Sequence, residues 1–329
     1  MTDFPFRLQI FPFSATLMDA EAGDAGGEQK MELNGLHILL TYQCNYECDH
    51  CFVWGSPWQS GVFTLPQIRQ ALQQAQATSS IQQIYFEGGE PFLYYPILVQ
   101  GVQLAVKMGF QVGIVTNAYW ATSKEDAHEW LRPLAGLVED LSVSSDLYHS
   151  DQAVSPQSQH ALAAAEHLGI PVGVISIAPV CQPERPGTVG QLPIGESEVM
   201  FRGRAAEKLA PQAAKHPWRQ FDRCPHEDLA NPGRVHLDPN GNLHICQGIS
   251  IGNIYQVELR DICRRYSPSE HPLLQALMDG GPVALVEHYR LAHQEAYADA
   301  CHLCYEARLA LRPRFPETLT PDQMYGVIR

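Results

Sequence analysis

Between residues 36 and 178 the chain alternates short apolar runs with segments of helical periodicity. Leu36 to Thr41 (LHILLT) is an apolar run that ends at a cysteine-rich loop, as a buried strand would. Thr64-x-x-Gln67 is a capping box, and Ile68, Leu72 and Ala75 follow at helical spacing. Ile84 and Phe86 alternate in QIYFE, which predicts a strand ending at Gly88-Gly89. The pattern then predicts a helix over 96–108, a strand over 110–115, a helix capped by Ser123-x-x-Asp126 and a strand over 138–143. Ser155-Pro156 opens a helix that stops at Gly169, and VGVISIA gives a strand over 172–178. EVMF, at 198–201, supplies a sixth strand.

Strands alternating with helices at this spacing imply an α/β fold of βα units around a parallel sheet. Six units fall short of the eight of a closed barrel. An open partial barrel and a doubly wound sheet both fit. In either, chemistry gathers at the carboxyl ends of the strands. The cysteine loop, Gly88-Gly89, Thr116-Asn117 and Ser144–Asp146 all fall at such ends. Residues 1–32 read as an extension, aromatic and Pro-rich at first and then linker-like in EAGDAGGEQ. From about Gly203 the texture changes. RVHLDPNGNLHI predicts a hairpin turning at Asn240-Gly241, followed by helical stretches over 257–265, 270–279 and 283–299. The chain therefore divides into an extension (1–32), an α/β core (33–202) and a smaller C-terminal domain (203–329).

Composition narrows the possible partners. No apolar run approaches the roughly 18 residues that span a bilayer, and the N-terminus lacks the layout of a secretory signal. A cytoplasmic protein with no membrane partner is expected. The formal charge is −14, from 22 basic and 36 acidic residues. That balance disfavours nucleic acid, whose non-specific binding draws on phosphate neutralisation, although Arg202, Arg204 and Lys208 form a local basic patch. Nine cysteines, an odd number, argue against a disulfide framework and for metal binding or catalysis.

Three of them form Cys44-x3-Cys48-x2-Cys51. Thiolates are the usual ligands of iron–sulfur clusters. Three close cysteines leave one iron of a cubane cluster without a protein ligand, and an open position is what a catalytic metal site needs. A zinc knuckle completed by His50 or a distant residue satisfies the spacing as well.

With Gly88-Gly89-Glu90-Pro91 about forty residues downstream, residues 33–200 resemble the radical S-adenosylmethionine (SAM) superfamily. The resemblance implies a partial (β/α)6 barrel with the cysteine loop after the first strand and the GGEP loop after the second. It further implies a 4Fe–4S cluster on Cys44, Cys48 and Cys51 that binds SAM. His50, in place of the family's usual aromatic residue, would lie against the adenine. Gly88, Gly89, Glu90 and Pro91 would hold the methionine amino group. Softer matches place Thr116 and Asn117 at the end of strand three, Ser144 and Asp146 at the ribose, and Ile175 and Ile177 beside the adenine. Alone, a Thr-Asn reads as a turn and a Ser-x-Asp as a cap.

Cys224, Cys246, Cys301 and Cys304 resemble the family's auxiliary-cluster domain in its shorter, Twitch-like form, with a β-hairpin, helices and a second 4Fe–4S cluster. The longer SPASM form needs more cysteines. Four thiolates with one C-x-x-C suit tetrahedral zinc equally. Cys263 is the alternative fourth ligand, although its setting in LRDICRRY favours a core cysteine. Cys181 reads as an incidental thiol. The resemblance implies reductive cleavage of SAM to a 5′-deoxyadenosyl radical, with an electron donor such as flavodoxin or ferredoxin. Maturation of a ribosomal peptide is the first substrate reading, a small molecule the second and RNA the third. A non-catalytic metal scaffold or electron carrier is the rival class. Among other residues, His149 is expected to be a structural hydrogen-bond partner. Tyr85, Tyr119 and Trp120 read as core aromatics, and Arg202 and Arg204 as a solvated helix start.

Overall fold

The computed structural model describes residues 31–180 and 195–328. Cys181 and most of the N-terminal extension lie outside the described residues. The first half carries β1 (Gly35–Thr41), α1 (Leu65–Thr78), β2 (Gln83–Gly88), α2 (Tyr95–Lys107), β3 (Gln111–Thr116), α3 (Lys124–Leu131), β4 (Asp140–Ser144), α4 (Pro156–His167), β5 (Val172–Ile177) and β6 (Gly195–Ser197). The expected caps are in place. Thr64 and Gln67 close a reciprocal capping box on α1, and Ser123 and Ser155 cap α3 and α4.

Strands β1 to β6 lie side by side in chain order, all parallel. A doubly wound sheet would reverse its order part-way. Here nothing reverses, so right-handed crossovers put successive helices on one face, as in a partial barrel. That face is apolar: Leu36, Ile38, Ile84, Phe86, Ile114 and Leu141 pack beneath Ile68, Leu72, Leu98 and Val102. Because strand side chains alternate, the opposite face carries His37, Tyr85, Glu87, Asp140 and Ser142. The inner wall is thus unusually polar.

The sixth strand is displaced from its expected position. It is Gly195–Ser197, paired with Ile175–Ile177, and residues 198–201 are not strand. Phe201 instead packs on Ala205, Leu209 and Ala210, and its N–H donates to Asp299 Oδ2 at 3.1 Å. The apolar signal in EVMF belongs to this packing.

The second half carries α5 (Arg204–Lys208), β7 (His216–Pro217), β8 (Arg234–Leu237), β9 (Asn242–Cys246), β10 (Ile249–Asn253), α6 (Leu259–Arg265), α7 (Leu274–Tyr289), β11 (Ala296–Tyr297) and α8 (Ala300–Leu311). The β8–β9 hairpin forms with Asn240-Gly241 in its turn, where Asp238 Oδ1 accepts from the N–H groups of Asn240 and Asn242, both at 2.9 Å. β8 also pairs in parallel with β1, from Gly35↔Arg234 to Ile38↔Leu237. The hairpin therefore extends the barrel sheet and covers the β1 edge, which would otherwise expose unpaired backbone groups.

The helix expected over 283–299 is shorter. α7 breaks at Gly280 and Gly281 and ends at Arg290, whose left-handed φ of 53° closes it. The chain beyond pairs as β11 with β7. Gly281 is required by close approach as well as by its φ of +59°: a Cβ there would stand 2.2 Å from the backbone nitrogen of Arg223. This contact passes the chain into Cys224.

Candidate active site

The Cys44–Cys51 loop leaves the carboxyl end of β1 and folds on itself. Cys44 N–H donates to Ser56 O at 3.0 Å, and Cys51 N–H to Cys48 O at 3.0 Å. Tyr46 N–H points at Cys44 Sγ (3.4 Å) and Gly55 N–H at Cys51 Sγ (3.2 Å). Burial, then repulsion from Glu90, pushes the Cys44 thiol up to about 12. Burial, then Cys51 and Cys44, pushes Cys48 up further. Thiols that oppose one another's ionisation are a poor arrangement alone and a good one around a cation, which draws thiols into thiolates. Cys44, Cys48 and Cys51 therefore fit a metal cluster.

Gly88–Pro91 follows β2 and is stitched to the cysteine loop. Gly89 N–H donates to Thr41 O at 2.7 Å, and Glu90 N–H to Gln43 O at 2.9 Å. A Cβ on Gly89 would lie 2.1 Å from Gln43 O, so only glycine permits this contact. Glu90 is fully buried. Its Oε1 accepts from Phe92 N–H (3.0 Å) and Thr116 Oγ1 (2.8 Å), and its Oε2 from Asn117 N–H (2.7 Å). Burial nevertheless outweighs these donors and raises the carboxyl to about 7. Glu90 thus pins the end of β2 to the end of β3. Glu90→Gln would set an amide NH2 against one of these donors. The buried carboxylate carries its own desolvation cost, so wild-type stability should fall as pH rises from about 4.5 through about 7 and that of Glu90→Gln should not, measured by denaturant unfolding of the cluster-free chain.

At the end of β3, Asn117 Nδ2 donates to Asn45 Oδ1 at 3.0 Å and approaches Cys44 Sγ at 3.6 Å. At the end of β4, Ser144 is half-buried and Asp146 buried. Asp146 accepts from Tyr148 N–H (2.9 Å) and Ile177 N–H (3.1 Å), and its Oδ1 lies 2.8 Å from His149 Nδ1. Against burial, the His149 hydrogen bond holds the Asp146 carboxyl below its usual range. His149 is therefore the structural partner expected of it. His50 lies beside it, 5.0 Å from the Tyr148 ring and 5.2 Å from that of His149, and burial pushes its imidazole down to about 4. Cys44, Cys48, Cys51, His50, Gly88–Pro91, Asn117, Ser144, Asp146 and Ile177 all lie at one end of the strands.

Arg202 and Arg204 are not a solvated helix start; both are buried. Arg204 donates to Cys48 O and Gly55 O, both at 2.8 Å, and clamps the cysteine loop. Trp120 is core, stacked on Phe92 at 4.4 Å. Tyr85, expected in the core, lies on the inner wall and donates to Asp140 Oδ2 at 2.8 Å.

Cys224, Cys246, Cys301 and Cys304 line one small pocket, together with Arg202 and Arg308. Cys246 ends β9, and α8 presents Cys301 and Cys304 from its first turns. Burial pushes Cys304 up to about 12 and raises Cys224 and Cys301. Arg202 Nη1 donates to Cys246 Sγ at 3.2 Å, and Arg308 Nη1 to Gln247 O at 2.5 Å. Cys263 packs instead with Leu259 and Ile262 in the helix-side core. The roles of Arg202 and Arg308 were not read from sequence, although Arg308 stands one helical turn beyond Cys304.

Residues 38–154 match the family model of the Radical SAM superfamily. This segment is a radical SAM domain. The family implies a 4Fe–4S cluster and SAM. The chain is 32% identical over 114 residues to "Putative peptide biosynthesis protein YydG" of Bacillus subtilis (strain 168), covering 34% of this chain and 36% of the relative. It is 25% identical over 118 residues to "S-adenosylmethionine-dependent nucleotide dehydratase" of Fibrobacter sp. (strain UWH6), covering 33% and 32%. The chain thus spans about a third of the length of these curated relatives. Among solved structures, BtrN in complex with AdoMet and 2-DOIA aligns over 76% of this chain and 89% of its own, with 14% identity and a TM-score of 0.44. HydG, a maturase of the FeFe-hydrogenase, aligns over 44% and 35%, with 15% identity and a TM-score of 0.34. The radical SAM domain contains the cysteine loop, the Gly88–Pro91 loop and the ends of β3 and β4.

Proposed function

We propose that the chain is a radical SAM enzyme that removes a hydrogen atom from a peptide substrate during peptide maturation. The observation that carries the radical SAM reading is the closure of Gly88-Gly89 and Asn117 onto the Cys44–Cys51 loop. A zinc knuckle has no need of that closure. When bound, a cluster with one open iron supplies the electron that cleaves SAM to methionine and a 5′-deoxyadenosyl radical. Cys44, Cys48 and Cys51 hold this cluster. Arg204 fixes the backbone between the thiols, and Glu90 locks the GGEP loop against Asn117. The backbone of Gly88–Pro91 receives the methionine amino group, while His50, Ser144, Asp146 and Ile177 border the adenosine. The Asp146 carboxylate orders this border from within, because Tyr148, His149 and Ile177 already engage it.

Residues 203–329 carry a Twitch-like auxiliary site in this reading, with Cys224, Cys246, Cys301 and Cys304 as ligands of a second 4Fe–4S cluster. Support comes from the shared cavity and from the two buried guanidiniums, whose charge offsets that of four thiolates. The name of the Bacillus subtilis relative supports a peptide substrate. The test is anaerobic reconstitution with iron and sulfide, then reduction with SAM. Methionine and 5′-deoxyadenosine are expected, with deuterium passing into 5′-deoxyadenosine from a deuterated substrate peptide. A fully loaded protein that yields neither product would falsify the radical reading. Products without deuterium transfer from any peptide offered would redirect the substrate to a small molecule.

A further inference from the structure

Well inside the barrel, His37 on β1, Glu87 on β2 and His236 on β8 meet on the polar inner wall. Their donor atoms, one from each residue, all lie within 4.8 Å of one another. His236 Nε2 stands 3.1 Å from Glu87 Oε1, and His37 Nδ1 stands 3.4 Å from Glu87 Oε2. A hydrogen-bonded His–Glu–His chain would account for such distances. Against burial, the two imidazoles hold the Glu87 carboxyl below its usual range, as such a chain would, but His37 Nδ1 and Glu87 Oε1 make no well-formed hydrogen bond among the described residues. His236 Nδ1 is likewise unpartnered, in a residue only 6% exposed. Buried polar atoms left unpaired cost stability, and two of them, His37 Nδ1 and Glu87 Oε1, lie in this one cluster.

Ligands about 2.0–2.2 Å from a tetrahedral metal sit at separations like these. Two imidazoles and one carboxylate are a donor set for divalent transition ions, with positions left open. The surroundings fix the donors. Tyr85 stacks on the His37 ring at 4.7 Å, and its hydroxyl is held by Asp140. Gln247 places its amide 3.4 Å from His236 Nε2, and its Oε1 is also buried without a partner. Rotating that amide by half a turn presents its oxygen to the site as a fourth donor. The parallel β1–β8 pairing, which sets His37 opposite His236, is what assembles it.

We propose that His37, Glu87 and His236 bind a divalent transition-metal ion of the zinc class, separate from both groups of cysteines. Its open positions face the barrel interior and accept an oxygen donor, such as a carbonyl or carboxylate. No cysteine takes part, so the site does not depend on the cluster assignments.

The experiment uses the full chain with its clusters reconstituted anaerobically and adventitious metal removed by a chelator. Zinc is then added and bound zinc counted by mass spectrometry alongside iron. One zinc per chain beyond the iron sites is expected, and His37→Gln, Glu87→Gln and His236→Gln should each lose it with iron unchanged. His293→Gln, an exposed control, should retain it. Absence of bound zinc in the wild type overturns the proposal, as does a Glu87→Gln/His236→Gln double variant that keeps its zinc. If a single variant misfolds, as judged by lost iron, the wild-type count and the remaining variants decide. Failure of the SAM-cleavage assay would leave the zinc count unaffected, so the two readings fail separately.

Discussion

Cys48→Ala should abolish 5′-deoxyadenosine formation while leaving the fold and the second cysteine site intact. Burial, then repulsion from Cys51 and Cys44, raises the Cys48 thiol, so a cation favours its thiolate strongly. A cluster with two protein ligands leaves two irons open, and the differentiated site for SAM is lost. The effect should exceed the roughly 100-fold that removal of an outer partner costs a metal site. The measurement is product formation per chain, paired with iron analysis. Iron should fall by one cluster's worth and no further. Retained cleavage in Cys48→Ala would place the SAM-binding cluster elsewhere. Loss of all iron would instead point to a single cluster.

What the sequence disclosed follows the range of each interaction. The cysteine triplet, the GGEP loop and the helix caps are local, and each appears intact in the structure. Apolar runs and alternation between the helical stretches located β1 to β5. Periodicity could not locate the sixth strand, since EVMF is apolar for the sake of Phe201 packing rather than sheet pairing. Nor could it decide between a partial barrel and a doubly wound sheet, because strand order is set by pairing across the chain. The β8–β1 pairing joins residues about two hundred apart in sequence, and with it come both His236 and the polar inner wall. A partial signal did exist. In QIYFE, the residues alternating with Ile84 and Phe86 are Tyr85 and Glu87, so the second face was visibly polar. The arginines were the largest misreading. Arg202 and Arg204 stand in a segment of ordinary surface character, and only the folded chain shows them buried against sulfur and the cysteine loop.

Arg202 also supports the second large expectation. Arg202→Met should destabilise the chain by about 3–5 kcal/mol and empty the second cysteine site of iron. Removing one member of a buried charge group leaves the others uncompensated. Glu227 Oε1 lies 3.4 Å from Arg202 Nη1, while its other oxygen lies 3.5 Å from the partly exposed Arg234. Cys246 Sγ loses its guanidinium donor at the same time. The two costs separate in a double variant. Arg202→Met/Glu227→Leu removes the stranded carboxylate, so it should recover part of the stability seen in unfolding experiments. It should still lose iron, because the cysteines remain without the guanidinium's charge. Arg202→Lys keeps the charge but is too short to carry it to the Nη1 position that reaches both Glu227 and Cys246, and should fall between wild type and Arg202→Met in both readouts. Unchanged iron in Arg202→Met would mean that the four thiolates hold their metal without this charge. Arg202 would then serve the fold alone.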